Sequence, residues 1–182
     1  RFLFNKKERK IEEIVNRVKN SSLITLDVSD LYDNKDRVNL DFTDFIENGI
    51  LIEKQFREKL KNYNWSKFND KYVYVTSGEE VIIPSWAFIL LSYHLSNNCL
   101  DYIYGELKSL DLKLYLNKIN SIDFSLYENK KVIVKGCSEI PHFEYVYFEL
   151  TKRLTPVVFS LMYGESDIYL WFSKVKILLL KN

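Results

Sequence analysis

One cysteine, Cys137, occupies a position where a thiol could do chemistry. It lies in the segment Gly136-Cys137-Ser138, between a predicted strand and the start of a predicted helix. At such a place the unpaired amides and the dipole of a helix can lower the pKa of a thiol. A thiolate there could ligate a metal, accept sulfur or act as a nucleophile. The alternative is a small residue that fits a tight turn.

His142 and the second cysteine, Cys99, are weaker candidates for a chemical role. His142 lies five residues after Cys137, but one Cys–His pair at this spacing is not a catalytic triad, and no orienting carboxylate is evident. We therefore expect His142 to be solvated or to cap a helix. Cys99 follows an apolar helical pattern, so we expect it to serve in packing.

Two glutamates, Glu106 and Glu165, form a second candidate pair, because each ends the tripeptide Tyr-Gly-Glu. Acid–base catalysis needs two carboxylates held several ångströms apart in different environments. The alternative is that both are solvated glutamates at strand ends. The candidate site residues are therefore Cys137, Ser138, Gly136, Ser77, Glu106 and Glu165.

An internal repeat with an offset of 59 residues positions these candidates. Residues 65–75 match residues 124–134, with aromatic on aromatic, serine on serine and lysine on lysine. Each copy continues through a small-residue loop and a proline to its Tyr-Gly-Glu tripeptide. The duplicated units therefore cover about residues 65–106 and 124–165.

Each unit has the pattern of a strand, a helix and a returning strand. The predicted strands are residues 72–75, 102–104, 131–134 and 161–163, which are rich in β-branched and aromatic side chains. Pro84 and Pro141 suit a first helical turn. The helix from Pro84 to about Ser96 is apolar nearly all round, which predicts deep burial.

The remaining pattern completes an α/β chain. It predicts helices over residues 11–18, 53–62 and 107–119, half-buried strands over 23–28 and 38–42, and a short strand over 49–52. A strand–helix–strand connection implies parallel pairing with a right-handed crossover. No Pro- or Gly-rich linker interrupts the chain. The sequence therefore predicts one α/β domain over residues 1–182, with a mixed, largely parallel sheet built from two duplicated βαβ units.

Repeat symmetry predicts where a site would lie. In a parallel sheet, ligands bind beyond the carboxyl ends of the strands. We therefore expect four segments along one rim of the sheet, at residues 77–80, 105–106, 136–138 and 164–165.

Composition excludes several function classes. Lysine and arginine (26) balance aspartate and glutamate (25), so a net charge of +1 gives no overall attraction to nucleic acid or anionic membranes. The sequence has no dinucleotide fingerprint, phosphate-binding loop, H-E-x-x-H or C-x-x-C motif, which argues against a nucleotide enzyme. Two cysteines, and no apolar run of signal-peptide or membrane-span length, predict a cytoplasmic protein. We expect no cofactor.

Several short motifs form a pattern beyond the repeat. Two are specific, Glu149-Leu150-Thr151 and Ser160-Leu161-Met162-Tyr163-Gly164-Glu165; the others lie at residues 15–21, 23–27, 56–58, 65–66, 84–87 and 135–138. Over about residues 13–165 the chain resembles a bacterial family of uncharacterised proteins, domain-of-unknown-function family 2480. The family pattern ends in a Gly-Glu-Pro-Cys-Ser segment and a short basic tail. Here residues 166–182 depart from it, and its second rim cysteine is absent, which argues against two-thiol chemistry or a shared metal site.

The resemblance implies an accessory role in iron–sulfur cluster assembly or sulfur handling, since genes of the family often neighbour those of the sulfur-mobilisation machinery. It implies Cys137 as the functional thiol and a protein of that machinery as the partner. The balanced charge, separately, predicts that neither nucleic acid nor a membrane is bound. Two alternatives remain open. One is a non-catalytic protein-interaction module that uses the same rim, and the other is a hydrolase-like enzyme that uses Glu106 and Glu165.

Overall fold

A computed structural model describes residues 23–46, 50–78, 81–136 and 140–164. The predicted helix over residues 11–18 and the atypical tail 166–182 lie outside these residues. The strands are β1 (Leu23–Asp27), β2 (Arg37–Asp41), β3 (Tyr72–Thr76), β4 (Asp101–Tyr104), β5 (Lys131–Lys135) and β6 (Ser160–Gly164). The α-helices are α1 (Glu53–Asn62), α2 (Ser85–Ser96), α3 (Leu107–Asn120) and α4 (Phe143–Leu154), and four 3₁₀ turns lie at residues 28–31, 42–45, 65–68 and 124–127.

The described strands form two three-stranded sheets in which all pairs are parallel. The strand orders are β1-β5-β6 for the first sheet and β2-β3-β4 for the second sheet. The α/β class and the two βαβ units are therefore confirmed. The predicted strand over residues 49–52 is not formed at 50–52, where Ile50 makes only an isolated bridge.

The duplication extends beyond the two units that match at an offset of 59 residues. Each sheet begins with a strand and a 3₁₀ turn, Leu26-Asp27-Val28-Ser29-Asp30-Leu31 and Leu40-Asp41-Phe42-Thr43-Asp44-Phe45. Asp27 accepts hydrogen bonds from the amide and hydroxyl of Ser29 at 3.0 and 2.6 Å, and Asp41 does the same with Thr43 at 2.8 and 2.7 Å. The chain thus starts the first sheet, builds the whole second sheet, and then returns to finish the first.

Each sheet packs against its own helices around a separate core. In α2 the buried side chains are Ala87, Leu91 and Leu95, and in α4 they are the residues 59 positions later, Val146, Leu150 and Leu154. The expected deep burial of α2 all round is wrong, because a three-stranded sheet covers only one side of a helix. No helix of the described residues is long and apolar enough to cross a membrane.

Helix α3 joins the two units. Its residues Tyr115 and Ile119 belong to the core of the first sheet, while the helix also contacts β3 and β4 of the second. In its second turn, Asp111 Oδ1 accepts a 3.0 Å hydrogen bond from Nε of Arg37, the first residue of β2. The Arg37 and Asp111 side chains are 10% and 6% exposed, so this is a buried ion pair.

The pair is held by further contacts. The Arg37 guanidinium lies over the rings of Tyr32 and Tyr72, 4.6 and 5.6 Å from their centroids, and donates to the carbonyl oxygens of Asp33 and Lys35. The Tyr72 hydroxyl donates to Asp33 at 2.8 Å, and burial, together with this carboxylate, raises the pKa of Tyr72 to about 12. The arginine is therefore enclosed on several sides by groups that favour its charge.

Removing the buried carboxylate should destabilise the protein strongly. We expect Asp111→Asn to cost about 3–5 kcal/mol, because it leaves the Arg37 charge buried without its counter-ion. The control is Glu53→Gln, which breaks the exposed i,i+4 pair with Arg57 and should cost under about 0.5 kcal/mol. Urea unfolding followed by circular dichroism measures both. Equal effects of the two substitutions would contradict a special role for Asp111.

Candidate functional site

The candidate residues lie on two rims, one for each sheet. Ser77 follows β3 and Glu106 follows β4, both in the second sheet, whereas Gly136 follows β5 and Gly164 ends β6 in the first sheet. The expectation of one continuous rim is therefore wrong, because the strands that carry these segments are divided between two sheets. Three candidates lie outside the described residues: Cys137, Ser138 and Glu165.

The two rims are separated by the way the units meet. Tyr115 of α3 donates a hydrogen bond to the carbonyl of Pro141 at 2.8 Å, and Asp111 Oδ2 lies 3.8 Å from Nε2 of His142. Both contacts bring the segment after β5 toward Arg37, at the amino end of β2. The carboxyl-end rim of the first sheet therefore meets the amino end of the second sheet.

The division into two sheets separates the strands that precede Glu106 and Glu165. Glu106 is exposed at the start of α3, where its side chain makes no capping hydrogen bond. Gly164, which precedes Glu165, belongs to the other sheet. The common rim on which an acid–base pair of these two glutamates depends is therefore not formed in the part of the chain that the structure describes.

His142 has a defined place. It adopts a left-handed backbone conformation with φ of 58° immediately before α4, and its side chain makes no capping hydrogen bond. Instead the imidazole faces the buried Asp111 carboxylate across 3.8 Å. The expectation of a helix cap is therefore wrong for its side chain, which contributes to the contact between the units.

On the rim of the second sheet, a tyrosine is held between a serine and a phenylalanine. The hydroxyls of Ser77 and Tyr104 are 2.6 Å apart, and the Tyr104 ring packs edge-on against Phe88 of α2, with centroids 5.0 Å apart. Gly105 donates its amide to the Val75 carbonyl at 2.9 Å and has φ of +142°, a conformation that a side chain would strain. Glycine is therefore required at this turn, and Tyr104 beside it lies exposed at the strand end.

The rim of the first sheet repeats this pattern with exchanged residues. Tyr163 packs edge-on against Tyr147 of α4, with centroids 5.6 Å apart, and is also exposed. The hydroxyl of Tyr147 occupies the place of a side chain at Gly136, and its Cζ lies 2.7 Å from where a Cβ would be. The pair Gly136 and Tyr147 thus stands where the other unit has Ser77 and Phe88, and glycine is required because the tyrosine is longer.

A charged pair flanks Gly136. Lys135 Nζ lies 3.5 Å from Oδ2 of Asp27, which ends the neighbouring strand β1. The hydrogen bond from the Ser29 hydroxyl, its amide and the charge of Lys135 together hold the pKa of Asp27 below its usual value. Asp27 is therefore a carboxylate at neutral pH, and the segment that leads to Cys137 starts beside opposite charges.

The second cysteine is a packing residue, as predicted. Cys99 contacts the core of the second sheet and donates its thiol to the Leu95 carbonyl at 3.1 Å. Burial, with the nearby Asp101 carboxylate, raises the pKa of Cys99 to about 11, so its thiol is unreactive at neutral pH. Among the described residues, no group of three or more His, Cys, Asp or Glu side chains could hold a metal ion.

A surface cavity that the sequence did not indicate lies between α1 and the 3₁₀ turn after β2. Its volume is about 450 Å³, and it is lined by Asp44, Phe45, Gln55, Glu58, Lys59, Asn62 and Tyr63. The lining mixes both signs of charge with two aromatic rings and contains no cysteine or histidine.

The free energy of unfolding of variants can test whether the exchanged residues of the two rims compensate each other. Gly136→Ser should cost about 1–3 kcal/mol, because the new side chain collides with Tyr147. In a Tyr147→Phe background the same substitution should cost less, since the Ser77 and Phe88 pair already coexists in the other unit. A double-mutant cycle in urea measures this coupling. Additive effects of the two substitutions would show that the residues do not compensate each other.

The comparisons with known proteins give one match. Residues 12–170 match the model of a family described as "Protein of unknown function (DUF2480)", which is most of the chain. No curated protein and no solved structure matches. The chain therefore belongs to the DUF2480 family, as the motifs indicated.

Proposed function

We propose that this member of the DUF2480 family is a non-catalytic interaction protein, which binds a protein partner through the tyrosine-bearing rims of its two sheets. The observation that supports this is the exposed tyrosine at the end of β4 and of β6. Tyr104 and Tyr163 occupy equivalent positions, and each ring packs edge-on against an aromatic ring of the preceding helix in the same unit, Phe88 of α2 or Tyr147 of α4. Both copies have kept the same exposed feature.

The physical reason lies in how tyrosine binds. A tyrosine offers a large apolar ring and a polar hydroxyl, and such residues are enriched among those that dominate binding energy. Because each rim ring already packs against a second ring, it loses less conformational entropy on binding. The Ser77 hydroxyl, 2.6 Å from that of Tyr104, restricts that side chain further.

The kind of partner and its location follow from charge and cysteine chemistry. A net charge of +1 favours neither nucleic acid nor an anionic membrane, so the proposal specifies a protein. The unpaired, half-buried thiol of Cys99 suits a reducing compartment, which supports the bacterial cytoplasm.

Removing the rim tyrosines tests this proposal. Tyr104→Ala and Tyr163→Ala should each weaken partner binding by roughly 30-fold, which corresponds to about 2 kcal/mol for a residue that dominates an interface. Quantitative affinity capture from the native cell, with wild-type and variant baits of equal stability, measures the loss. The control is Leu126→Ala, an exposed residue at the opposite, amino end of β5. Partners that all three variants retain equally would argue against binding at the rims.

A second candidate function is sulfur handling or iron–sulfur assembly through the Cys137 thiol, with a protein of the sulfur-mobilisation machinery as partner. One observation favours it. Gly136, which precedes Cys137 in the chain, follows β5, the central strand of the first sheet, and the Lys135–Asp27 ion pair lies at the end of that strand. The carboxyl end of a central parallel strand is where ligands bind in such sheets.

Thiol titration tests the second candidate function, and the second cysteine, Cys99, provides the matched control. In a Cys99→Ser variant, alkylation by iodoacetamide should follow a pKa below the free value of about 8.5. The matched Cys137→Ser variant should react slowly at neutral pH, and its rate should rise until about pH 11, because the pKa of Cys99 is raised. A Cys137 pKa near 8.5, with no uptake of persulfide sulfur or iron, would exclude the sulfur function while leaving the rim proposal intact.

A further inference from the structure

Exposed apolar side chains concentrate at the rim of the second sheet. Three connections lie at this rim: residues 42–52 lead from β2 to α1, residues 77–84 from β3 to α2, and residues 105–106 from β4 to α3. Of the twelve large hydrophobic side chains that are exposed in the described part of the chain, five belong to these connections or adjoin them: Ile50, Ile52, Ile82, Tyr104 and Leu107. The apolar surface is therefore gathered at one edge of the sheet.

The three connections adjoin one another. A side chain at Gly78 would lie 3.7 Å from Cγ2 of Thr43, so the first two connections are neighbours. The Ser77 hydroxyl lies 2.6 Å from that of Tyr104, at the end of β4. The amide of Gly105 donates to the carbonyl of Val75, which joins the third connection to β3. The rim of the second sheet is thus one surface.

This surface has an excess of negative charge. The sequences of the three connections contain five acidic residues and no lysine, arginine or histidine; the acidic residues are Asp44, Glu47, Glu79, Glu80 and Glu106. Asp44 and Glu106 belong to the described residues, and both are exposed. The helix starts do not balance these charges, because residues 53–59 carry two glutamates against three basic residues, α2 starts without charge, and α3 adds only Lys108 in its first turn.

The opposite edge of the same sheet serves as a first internal control. The connections there, residues 32–36, 63–71 and 97–100, contain three aspartates and three lysines. Lys35 pairs with Asp70, and Lys71 lies 3.7 Å from Asp36. The excess of negative charge is therefore confined to the carboxyl-end rim.

The first sheet serves as a second control. At its rim, Lys135 Nζ lies 3.5 Å from Asp27, which it faces across the strand pair. The equivalent strand pair of the second sheet has Asp41 facing Thr76. Asp41 accepts hydrogen bonds from Thr43 but has no lysine opposite it. Packing cannot require this loss of a cation, because a lysine fits the same position in the first sheet.

We infer that the rim of the second sheet binds a basic segment of a partner protein, in which lysine or arginine residues accompany apolar ones. The inference rests on the proposed rim function and names the chemistry of its partner. Exposed apolar side chains bordered by charge are typical of a protein-binding surface, and the sign of the charge selects the partner. An arginine of the partner can also stack on the exposed Tyr104 ring. The carboxylates, in contrast, repel nucleic acid and anionic membranes.

Fluorescence anisotropy of two labelled peptides tests the inference on the full chain. Both peptides are amphipathic sequences of about 14 residues with leucine at helical spacing, and their polar positions are lysine in one and glutamate in the other. At low salt we expect the lysine peptide to bind at least about tenfold more tightly than the glutamate peptide. Its affinity should fall as salt is raised, because exposed charges are screened.

Two matched charge reversals locate the binding surface. The double variant Asp44→Lys and Glu106→Lys should weaken binding of the lysine peptide by about tenfold or more. The double variant Asp36→Lys and Asp70→Lys changes the net charge equally at the opposite edge, and should leave the affinity within about twofold. Ile82→Ser removes an apolar side chain that is 89% exposed and should weaken binding by about tenfold if the peptide covers it. Circular dichroism checks that each variant is folded.

Several outcomes would overturn the basic segment. Equal binding of the two peptides would do so, as would no binding of either, or equal weakening by the two charge reversals. The capture experiment separates this inference from the proposed function. A partner that is lost with Tyr104→Ala but retained with the Asp44→Lys and Glu106→Lys variant would refute the basic segment and leave the rim function intact. A partner that is retained by both, and by Tyr163→Ala, would refute both proposals.

Discussion

A buried guanidinium–carboxylate pair connects the two halves of this molecule. Arg37 begins the second sheet, and Asp111 lies in the second turn of α3, the helix that packs on both units. A buried charge without its partner is costly, so neither residue tolerates separation of the units. The same carboxylate faces His142 before α4, and the neighbouring Tyr115 hydroxyl binds Pro141. These contacts therefore fix where Pro141 and His142, just before α4, meet the second unit.

The duplication makes each half a control for the other. Where one rim has serine and phenylalanine, the other has glycine and tyrosine, and both arrangements present an exposed tyrosine. Where one helix face is charged, the other is not. Residues that differ between the units at equivalent surface positions are not required by the fold, because both versions pack in the same way. This comparison supports the rims as interaction surfaces, because both keep an exposed tyrosine.

The two functional hypotheses use different chemistry at nearby places. The rings of the rim tyrosines, Tyr104 and Tyr163, are held by aromatic neighbours. The thiol hypothesis depends on Cys137, which lies outside the described residues, and is supported by its position after the central strand. Since Cys99 is half-buried and its pKa is raised, thiol chemistry at neutral pH would belong to Cys137 alone. The two functions are compatible, because a protein that accepts sulfur must also bind its donor.

The sequence by itself determined the elements, the class and the family. Helix and strand positions followed from local periodicity, and the repeat followed from matches at a constant offset, as with Val73 and Val132. It did not reveal that β1 and β2 are also duplicated, because they are only 14 residues apart and share a short Leu-Asp motif. Only the tertiary structure divided the strands between two sheets, since local pattern does not specify which distant strands pair. That division separated the rims, exposed one side of α2 and placed His142 against Asp111.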